Sequence, residues 1–356
     1  MTASKPSSQL DTLPPHHTIS FVKLLIQVPC YNEVETLSQT VAEFPRTLPG
    51  IDCIEWLIID DGSDDGTADM AEHLGAAYIL RHKKNLGLAR SFEDGLEGSL
   101  RAGADIIVNT DADNQYPGFY IAQLVAPIVD GEADIVIGDR QVESIAHFSP
   151  LKRSLQKLGS WFVRTASETD VPDATSGFRA MSREAAMRLF IQGQFSYTLE
   201  SLIQAGDLRL AVTSVPITTN PATRSSRLFL SIPEYIDRSA TAVLRAYAMY
   251  TPMKVFLLIS SIFLISGLVL GFRFLYFFVL TDGNTGHVQS LIFAAILIII
   301  AFMLFVVGIL GDLISSNRSL LEDVRFRLSR IEGKLGALDL ENTADQDSIR
   351  EEGDSA

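Results

Sequence analysis

Two long apolar stretches in the last third of the chain constrain its fold more than any other feature. Val255 to Phe272 contains no charged residue, and Leu291 to Leu310 contains only apolar residues and glycine. A helix of about 20 residues is about 30 Å long, the thickness of the hydrocarbon core of a bilayer. A buried helix of a soluble protein is rarely so uniformly apolar. We therefore predict a hairpin of two transmembrane helices, at 253–280 and 290–312.

The charges around this hairpin predict its orientation. The loop from Thr281 to Gln289 has no lysine or arginine. Basic residues flank the hairpin on its other side: Lys254, Arg318, Arg325 and Arg327. Because basic flanks stay on the cytoplasmic side, we expect a multi-pass protein of the cell (inner or plasma) membrane. Its N-terminal domain and its C-terminus would both be cytoplasmic.

The part of the chain before the hairpin alternates between strand and helix patterns. Five mostly apolar segments are typical of buried strands: 23–29, 54–59, 77–80, 104–110 and 133–137. Helical patterns separate them, which predicts a doubly wound, parallel α/β sheet. Ligands of such sheets bind outside the carboxyl ends of the strands. The polar residues that follow these strands are therefore the candidates for a functional site.

A pair of carboxylates follows the fourth of these segments. Asp111 and Asp113 are two residues apart, and Gln115 comes next in the same spacing. Two such carboxylates repel each other, and a divalent cation relieves the repulsion. Mg²⁺ and Mn²⁺ take oxygen ligands, often one or two carboxylates and the phosphates of a substrate. The pair could equally belong to an ordinary loop, so the remaining motifs decide between the two.

Five motifs in the chain follow one another in a characteristic order. They are Pro29-x-Tyr31-Asn32-Glu33, Asp60-Asp61-Gly62-Ser63-x-Asp65-Gly66-Thr67, Asn85-x-Gly87, Asp111-x-Asp113-x-Gln115 and Ser176-Gly177-Phe178-Arg179. In this order they resemble family 2 glycosyltransferases, in particular the branch of dolichyl- or polyprenyl-phosphate sugar synthases. The resemblance covers about residues 23–230. It implies a GT-A fold, a nucleotide-sugar donor (a UDP- or GDP-sugar), a polyprenyl phosphate acceptor, a divalent metal and an inverting transfer.

The resemblance also implies roles for the residues of the donor site. Pro29, Tyr31 and Glu33 would surround the nucleobase, and Asp60 and Asp61 would hold the base and ribose. From the residues alone, purely structural roles stay open as well. The aspartates could be turn formers, and the first segment could be a strand end with a core aromatic residue. The metal, Mg²⁺ or Mn²⁺, would lie on Asp111, Asp113 and Gln115, which makes Asp113 a catalytic candidate as well.

The acceptor side of the site is predicted from arginines. Arg140 follows the fifth segment, and by resemblance it would bind the acceptor phosphate together with Arg153 and act in catalysis. A contact with the membrane surface is the alternative role of Arg153. Arg224 and Arg227 lie where related enzymes close a basic loop over the diphosphate, although the glycine expected in that loop is absent. Arg179 could be a surface residue, and we assign it no role.

The remaining segments complete the predicted domain organisation. Residues 1–20 are polar and expected to be disordered, and 21–230 form the GT-A domain. The segment 231–252 has the spacing of an amphipathic interfacial helix, with a core helix as the alternative. A cytoplasmic amphipathic helix follows the hairpin at 313–338, and an acidic, disordered tail occupies 339–356.

The predicted helix after the hairpin carries a heptad pattern. Its apolar positions alternate in steps of three and four residues, with one polar member: Ile314, Asn317, Leu321, Val324, Leu328, Ile331, Leu335 and Leu338. Such a seam is typical of coiled coils, so we predict a homo-oligomer. Two alternatives remain, which are a helix lying on the membrane and a helix packed on its own catalytic domain.

Composition and the absence of certain motifs exclude several functions. The formal net charge of −14 argues against a nucleic-acid partner. Cys30 and Cys53 are expected to be free thiols. A dehydrogenase is disfavoured because no Gly-x-Gly-x-x-Gly motif follows the first strand. A processive polysaccharide synthase would carry a Gln-x-x-Arg-Trp motif, which is absent. A non-catalytic, membrane-anchored nucleotide-sugar binding protein is disfavoured by the intact carboxylate pair.

Overall fold

The computed structural model describes residues 21–141, 169, 171–191, 197–221, 252–280 and 288–354. Its centre is a seven-stranded sheet with these strands: β1 Lys23–Cys30, β2 Cys53–Asp60, β3 Tyr78–Arg81, β4 Ile106–Asn109, β5 Ile135–Asp139, β6 Arg179–Ser182 and β7 Val212–Pro216. Their order across the sheet is β3-β2-β1-β4-β6-β5-β7. Only β6 runs antiparallel to its neighbours. The mostly parallel α/β class is thereby confirmed.

The antiparallel strand β6 is the difference from the fully parallel pattern that the five apolar segments predicted. Its residues Arg179–Ser182 are Arg-Ala-Met-Ser, which lack the β-branched pattern of a strand. It inserts between β4 and β5, with Arg179 opposite Asn109 and Ile137. Because β6 is antiparallel, its first residue meets the carboxyl ends of its neighbours. The segment just before it, Ser176 to Phe178, therefore reaches the edge where a ligand would bind.

Helices cover both faces of the sheet. The described helices of this part are α1 Val34–Ala42, α2 Thr67–His73, α3 Leu88–Arg101, α4 Ile121–Val129, α5 Arg183–Arg188 and α6 Tyr197–Asp207, with a 3₁₀ turn at Gly118–Tyr120. On one face Phe92 of α3 belongs to a core cluster with Leu25 and Ile107. On the other face Leu37 of α1 clusters with Ile26. Burial on both faces explains why the central strands are almost wholly apolar.

Two long apolar helices follow the sheet domain, as predicted. They are α7 Pro252–Leu280 and α8 Val288–Asp354. The spans Pro252–Leu280 and Val288–Asn317 are long and apolar enough to cross a membrane, and most of their side chains are exposed rather than buried. A core helix of a soluble protein would be buried. The helices pack closely at Gly267, where a Cβ atom would lie 2.9 Å from Ile298.

The end of α8 differs from the predicted domain boundaries. One continuous helix includes the second span, the predicted cytoplasmic helix and residues 339–354, for which we predicted a disordered tail. The tail sequence has no proline and no glycine before Gly353, so nothing in it stops a helix that has already begun. The predicted interfacial helix at 231–252 lies outside the described residues except for Pro252, which begins α7. Residues 1–20 also lie outside them.

Candidate active site

The polar segments after β1, β2, β4 and β5 meet at one edge of the sheet, together with the start of β6. Of the predicted site residues, eight lie at this edge or in the strand ends beside it: Pro29, Tyr31, Glu33, Asp60, Asp61, Asp111, Asp113 and Gln115. Arg140 directly follows β5 at the same edge. Arg153, Arg224 and Arg227 lie outside the described residues. The sheet therefore brings together all the predicted site residues that the structure describes.

Hydrogen bonds join the loops after β1 and β2 into one unit. The Asn32 backbone N–H donates to Ser63 Oγ at 2.9 Å, and the Asp64 N–H donates to Asn32 Oδ1 at 3.0 Å. Asn32 has a φ of 55°, a left-handed conformation that asparagine tolerates better than most residues. Tyr31 is largely exposed beside this unit, whereas Glu33 is buried. The two loops form a rigid wall on the β2 side of the edge.

Cys30 ends β1 beneath this wall and is a free thiol, as is Cys53. Both cysteines therefore agree with the prediction. Burial, together with the nearby carboxylates of Glu33 and Asp60, raises the pKa of the Cys30 thiol well above its usual value. Cys30 is consequently protonated and behaves as a small apolar residue of the core.

Asp61 anchors the loop that carries the Asn85-x-Gly87 motif. Its Oδ1 accepts from the Leu86 N–H and its Oδ2 from the Gly87 N–H, both at 2.8 Å. The same Oδ1 lies 2.8 Å from His82 Nδ1, and His82 Nε2 lies 3.0 Å from Asp94 Oδ2. Charge-assisted bonds of this kind are stronger than neutral ones. Asp61 is thus held inside the protein, and its contact with a nucleotide stays a prediction.

A cleft of about 400 Å³ opens beside Asp60 and the β2 loop. It is lined by Asp60, Gly62, Ser63, Thr67, Arg81 and Lys83 among others. Asp60 Oδ1 accepts from the Ser63 N–H at 3.0 Å, which shapes the loop. Gly62 allows the close approach of the next loop, because a Cβ atom there would lie 2.6 Å from the Lys84 carbonyl carbon. A cleft of this volume is in the range of small-molecule sites.

The loop after β4 holds the predicted metal ligands. Asp113 accepts from the Gln115 N–H at 3.2 Å and from Gln115 Nε2 at 2.9 Å. Asn114 lies between them at a φ of 55° and donates to Glu43 Oε1 at 3.3 Å. From the other side, Asn220 Nδ2 donates to the Asn114 carbonyl at 2.9 Å. These bonds hold the loop from two directions, while Asp111 and Asp113 remain partly exposed.

Gly177 lies directly against Asp111. A Cβ atom on Gly177 would be 3.4 Å from Asp111 Oδ1 and 2.7 Å from Tyr197 Oη. The Gly177 carbonyl accepts from Asn109 Nδ2 at 2.8 Å, and that amide group also donates to Tyr197 Oη at 3.2 Å. Asn109 Oδ1 in turn accepts from Gln27 Nε2 at 2.9 Å. A buried polar network thus supports the carboxylate pair from below.

Sequence reasoning did not identify the members of this network. Gln27 and Asn109 are polar residues inside otherwise apolar strands, and both are fully buried. A buried amide needs hydrogen-bond partners, so these two residues were the available signal. Tyr197 gave no such signal, because its neighbours in space are distant in sequence.

Arg179 is buried, so its interpretation as a surface residue is wrong. Its guanidinium donates to Ser201 Oγ at 2.6 Å and to the Ser176 and Thr198 carbonyls. It also lies 5.5 Å from the centre of the Tyr197 ring. Burial lowers the pKa of Arg179 from its usual value. The arginine joins α6 to the start of β6 and thereby fixes the Gly177 segment in front of Asp111.

Arg140 is paired with a carboxylate that the sequence did not reveal. Arg140 Nε donates to Asp173 Oδ2 at 2.7 Å, and Nη2 donates to Asp173 Oδ1 at 3.0 Å and to Thr175 Oγ1 at 2.8 Å. Burial by itself raises the pKa of Asp173, but the bonds from Arg140 outweigh it and hold that pKa below its usual value. Within the described contacts Nη1 donates to no protein group.

The residues after β4 suit a hard divalent cation. In the described ranges no cluster of three or more histidine, cysteine, aspartate or glutamate side chains is arranged to hold a metal. Asp111 and Asp113 offer two carboxylates, and Gln115 Nε2 bonds to one of them. Mg²⁺ and Mn²⁺ are often held by one or two carboxylates with the substrate phosphates completing the shell. The two carboxylates therefore fit the chemistry of such an ion.

Comparison with known proteins identifies the domain. Residues 26–190 match the model of a family described as Glycosyl transferase family 2. The chain is 27% identical over 207 residues to the polyprenol monophosphomannose synthase of Mycolicibacterium smegmatis, a match that covers 55% of this chain and 77% of that protein. It is 25% identical over 207 residues to the undecaprenyl-phosphate mannosyltransferase of Micrococcus luteus, covering 55% and 83% of the two chains.

A solved structure shows the same fold. The glucosyl-3-phosphoglycerate synthase of Mycobacterium tuberculosis superposes with a TM-score of 0.50 at 20% sequence identity, and the match covers 64% of this chain and 79% of that one. The sheet is therefore GT-A-like. Family match, relatives and fold agree with the five motifs, and the chain carries a glycosyl transferase family 2 domain.

Proposed function

We propose that this protein transfers a sugar from a UDP- or GDP-sugar to a polyprenyl phosphate, with inversion, at the cytoplasmic face of the cell membrane. One observation carries the proposal. Asp111 and Asp113 and the cleft at Asp60 lie at the same sheet edge, in a domain that is followed by two exposed, membrane-length apolar helices. The names of the two relatives supply the acceptor class, since they refer to polyprenol and undecaprenyl phosphate.

The donor would lie across the β1, β2 and β4 loops. The nucleoside would occupy the cleft beside Asp60, with Pro29, Tyr31 and Glu33 around the base. The diphosphate would then extend towards Asp111. A solved glucosyl-3-phosphoglycerate synthase contains Mn²⁺ and UDP-glucose on this fold, which supports this donor class.

A divalent cation, Mg²⁺ or Mn²⁺, would supply positive charge to the departing nucleoside diphosphate when it is bound at Asp111 and Asp113. Gly177 has no Cβ atom, and one at this position would lie only 2.7 Å from Tyr197 Oη, beside the Asp111 carboxylate. Gln115 orients Asp113 through its two hydrogen bonds. The predicted role of Gln115 as a direct ligand would require its amide to turn its oxygen towards the ion.

The acceptor needs positioning more than activation. A phosphate monoester has a second pKa of about 6, so its oxygen is already anionic near neutral pH. No general base is therefore required, in contrast to attack by a sugar hydroxyl. Arg140 would hold this phosphate through Nη1 and place an oxygen in line with the anomeric carbon. Arg153 as a second phosphate ligand, and Arg224 and Arg227 at the diphosphate, stay predictions.

The hairpin would bring this site to the lipid. Basic residues on the flanks of the two spans support a cytoplasmic domain and C-terminus. Nucleotide sugars and the lipid headgroup would then meet on the same side of the membrane. We also propose a homo-oligomer, for which the end of α8 supplies an exposed apolar surface.

The test is a transfer assay in membranes that contain the full chain. Membranes are incubated with labelled UDP- or GDP-sugars and then extracted with organic solvent. We expect label in the lipid phase with at least one donor. An Asp113→Asn variant should lose this label, whereas Asp130→Asn, an exposed carboxylate at the end of α4, should keep it. Label in an insoluble polymer would indicate a polysaccharide synthase instead, and donor binding without turnover would indicate a binding protein.

A further inference from the structure

From Ile314 onward, at the end of the apolar span and beyond it, α8 exposes a stripe of large apolar side chains. Ile314, Leu321, Val324, Leu328 and Ile331 are between 53% and 71% exposed, and Asn317 lies in the same stripe. We name these six residues the α8 seam. A contiguous apolar surface in water is typical of an interaction site. Three surfaces could pack against this stripe: the protein's own catalytic domain, the membrane surface and a second copy of the chain.

The protein's own domain does not cover the seam. α8 packs on α5 of the catalytic domain, where the Arg188 guanidinium lies 4.8 Å from the centre of the Phe326 ring. Phe326 is two residues from Val324 and two from Leu328, so it points about 160° away from each around the helix. The helix therefore uses one face for its own domain and leaves the seam on the opposite face.

The membrane surface does not cover the seam either. α8 is one continuous helix from Val288 to Asp354, so the seam continues along the axis of the span. At about 1.5 Å per residue, Ile331 lies about 21 Å beyond Asn317, where the apolar span ends. The headgroup region on one side of a bilayer is only about 5–8 Å thick. A helix that lay on the membrane would have to turn away from the axis of the span, and α8 runs through this region as one uninterrupted helix.

We propose that the seam binds the same seam of a second copy of this chain, as a parallel, in-register coiled coil. The membrane hairpin gives every copy the same orientation and concentrates the copies, which offsets the short length of the seam. The sequence also offers charge complementarity. In the heptad of the seam, Arg327 and Lys334 occupy g positions, and the following e positions are Glu332 and Asp339. Such g–e pairs of opposite charge favour parallel partners.

This arrangement gives the two faces of α8 separate tasks. The seam forms the centre of the oligomer, and the Phe326 face holds each catalytic domain on the outside. Asn317 is the one polar residue in the seam, and a polar residue at a core position fixes register and the number of strands. The proposal does not depend on the transfer reaction, so it can fail or hold independently of the proposed function.

Cysteine crosslinking in native membranes tests the proposal directly. In a Cys30→Ser, Cys53→Ser background, Val324→Cys should form a disulfide-linked dimer on mild oxidation. Phe326→Cys, on the opposite face of the same turn, is the matched control and should remain monomeric on a denaturing gel. Absence of crosslinking at position 324, or equal crosslinking at both positions, would overturn the proposal.

The mass of the solubilised protein provides a second measurement. By light scattering in detergent, the Leu321→Asp, Leu328→Asp double variant should lose at least half of the oligomer, and so should a chain truncated after Ser319. Phe326→Ala should keep the wild-type mass. Because the seam residues are exposed in the single chain, their replacement should leave its thermal unfolding unchanged. A double variant with the wild-type mass would contradict the seam as the interface.

Discussion

The loops after β2 and β4 each carry a pair of carboxylates at the same edge of the sheet, but the protein uses the two pairs differently. Asp60 and Asp61 are almost fully buried; Asp60 accepts from Ser63 in its own loop, and Asp61 accepts from Leu86 and Gly87 in the next loop. Asp111 and Asp113 remain partly exposed, and Gly177 lies against Asp111. Residue type and position are alike in the two loops. The donors that surround each carboxylate therefore decide whether it is buried in the fold or stays accessible at the sheet edge.

Asp173 is a third case that lies between these two. It is buried like Asp61, but its partner is the side chain of Arg140 rather than the backbone of a distant loop. Asp173 thus holds the Arg140 guanidinium at the edge of the site, whereas Asp61 holds the loop that contains Leu86 and Gly87. The three aspartates suggest variants that separate loss of activity from loss of stability.

The largest effect is expected for Asp113→Ala. Losing a metal ligand should cost several kcal/mol of transition-state stabilisation, or about a 100- to 1,000-fold lower transfer rate. Thermal unfolding should hardly change, because Asp113 is partly exposed. EDTA should reproduce the loss in the wild type, and Mg²⁺ or Mn²⁺ should restore the rate. Full activity in the presence of EDTA would contradict the assignment of a metal to this site.

Asp61→Asn should reverse this pattern and act mainly on stability. An amide cannot accept from the Leu86 and Gly87 N–H groups on both of its atoms, and it removes the charge opposite His82. We expect a loss of about 3 kcal/mol in the free energy of unfolding. This loss is measured by denaturant unfolding, with the exposed Asp130→Asn variant as the control. Equal stabilities of the two variants would place Asp61 with the ligand-facing pair instead.

Arg140→Ala should impair use of the lipid phosphate more than binding of the nucleotide sugar. Losing a charge-assisted contact costs about 1.5–3 kcal/mol, or about 10- to 100-fold in rate. Arg140→Lys keeps the charge opposite Asp173 but loses the two-pronged pairing, so it separates the loss of charge from the loss of geometry. The assay compares KM for the acceptor with KM for the donor. If the acceptor kinetics of both variants were unchanged, the acceptor phosphate would be bound by residues other than Arg140.

The smallest effect is expected for Gly177→Ala. The added methyl group would lie 2.7 Å from Tyr197 Oη and 3.4 Å from Asp111 Oδ1. Overpacking of this kind costs about 1–3 kcal/mol, and we expect about a tenfold rise in the Mn²⁺ concentration needed for half activity. Tyr197→Phe in the same chain removes the closer oxygen and should recover part of the loss. If the double variant is no better than Gly177→Ala, the contact with Tyr197 is not the cause.

Local patterns in the sequence were sufficient to predict much of this protein. The first five strands, the carboxylate pair after β4, the free thiols and the apolar hairpin each depend on residues that are close together in the chain. Apolar runs, turn residues and strand ends are encoded over about 5–20 residues. The order of the five motifs also indicated the glycosyl transferase family 2 domain without reference to the fold.

Only the tertiary structure decided which of these carboxylates are buried and which stay accessible at the sheet edge. Asp61 bonds to Gly87, 26 residues away, and Arg140 bonds to Asp173, 33 residues away. The antiparallel insertion of β6 brings Gly177 into contact with Asn109, 68 residues away, and it buries Arg179, which the sequence left open as a surface residue. Such contacts join segments that no local period relates. Sequence by itself therefore determined the elements and the candidate side chains, whereas the packing of the sheet assigned each carboxylate its partner, because burial and hydrogen-bond donors are properties of the folded neighbourhood.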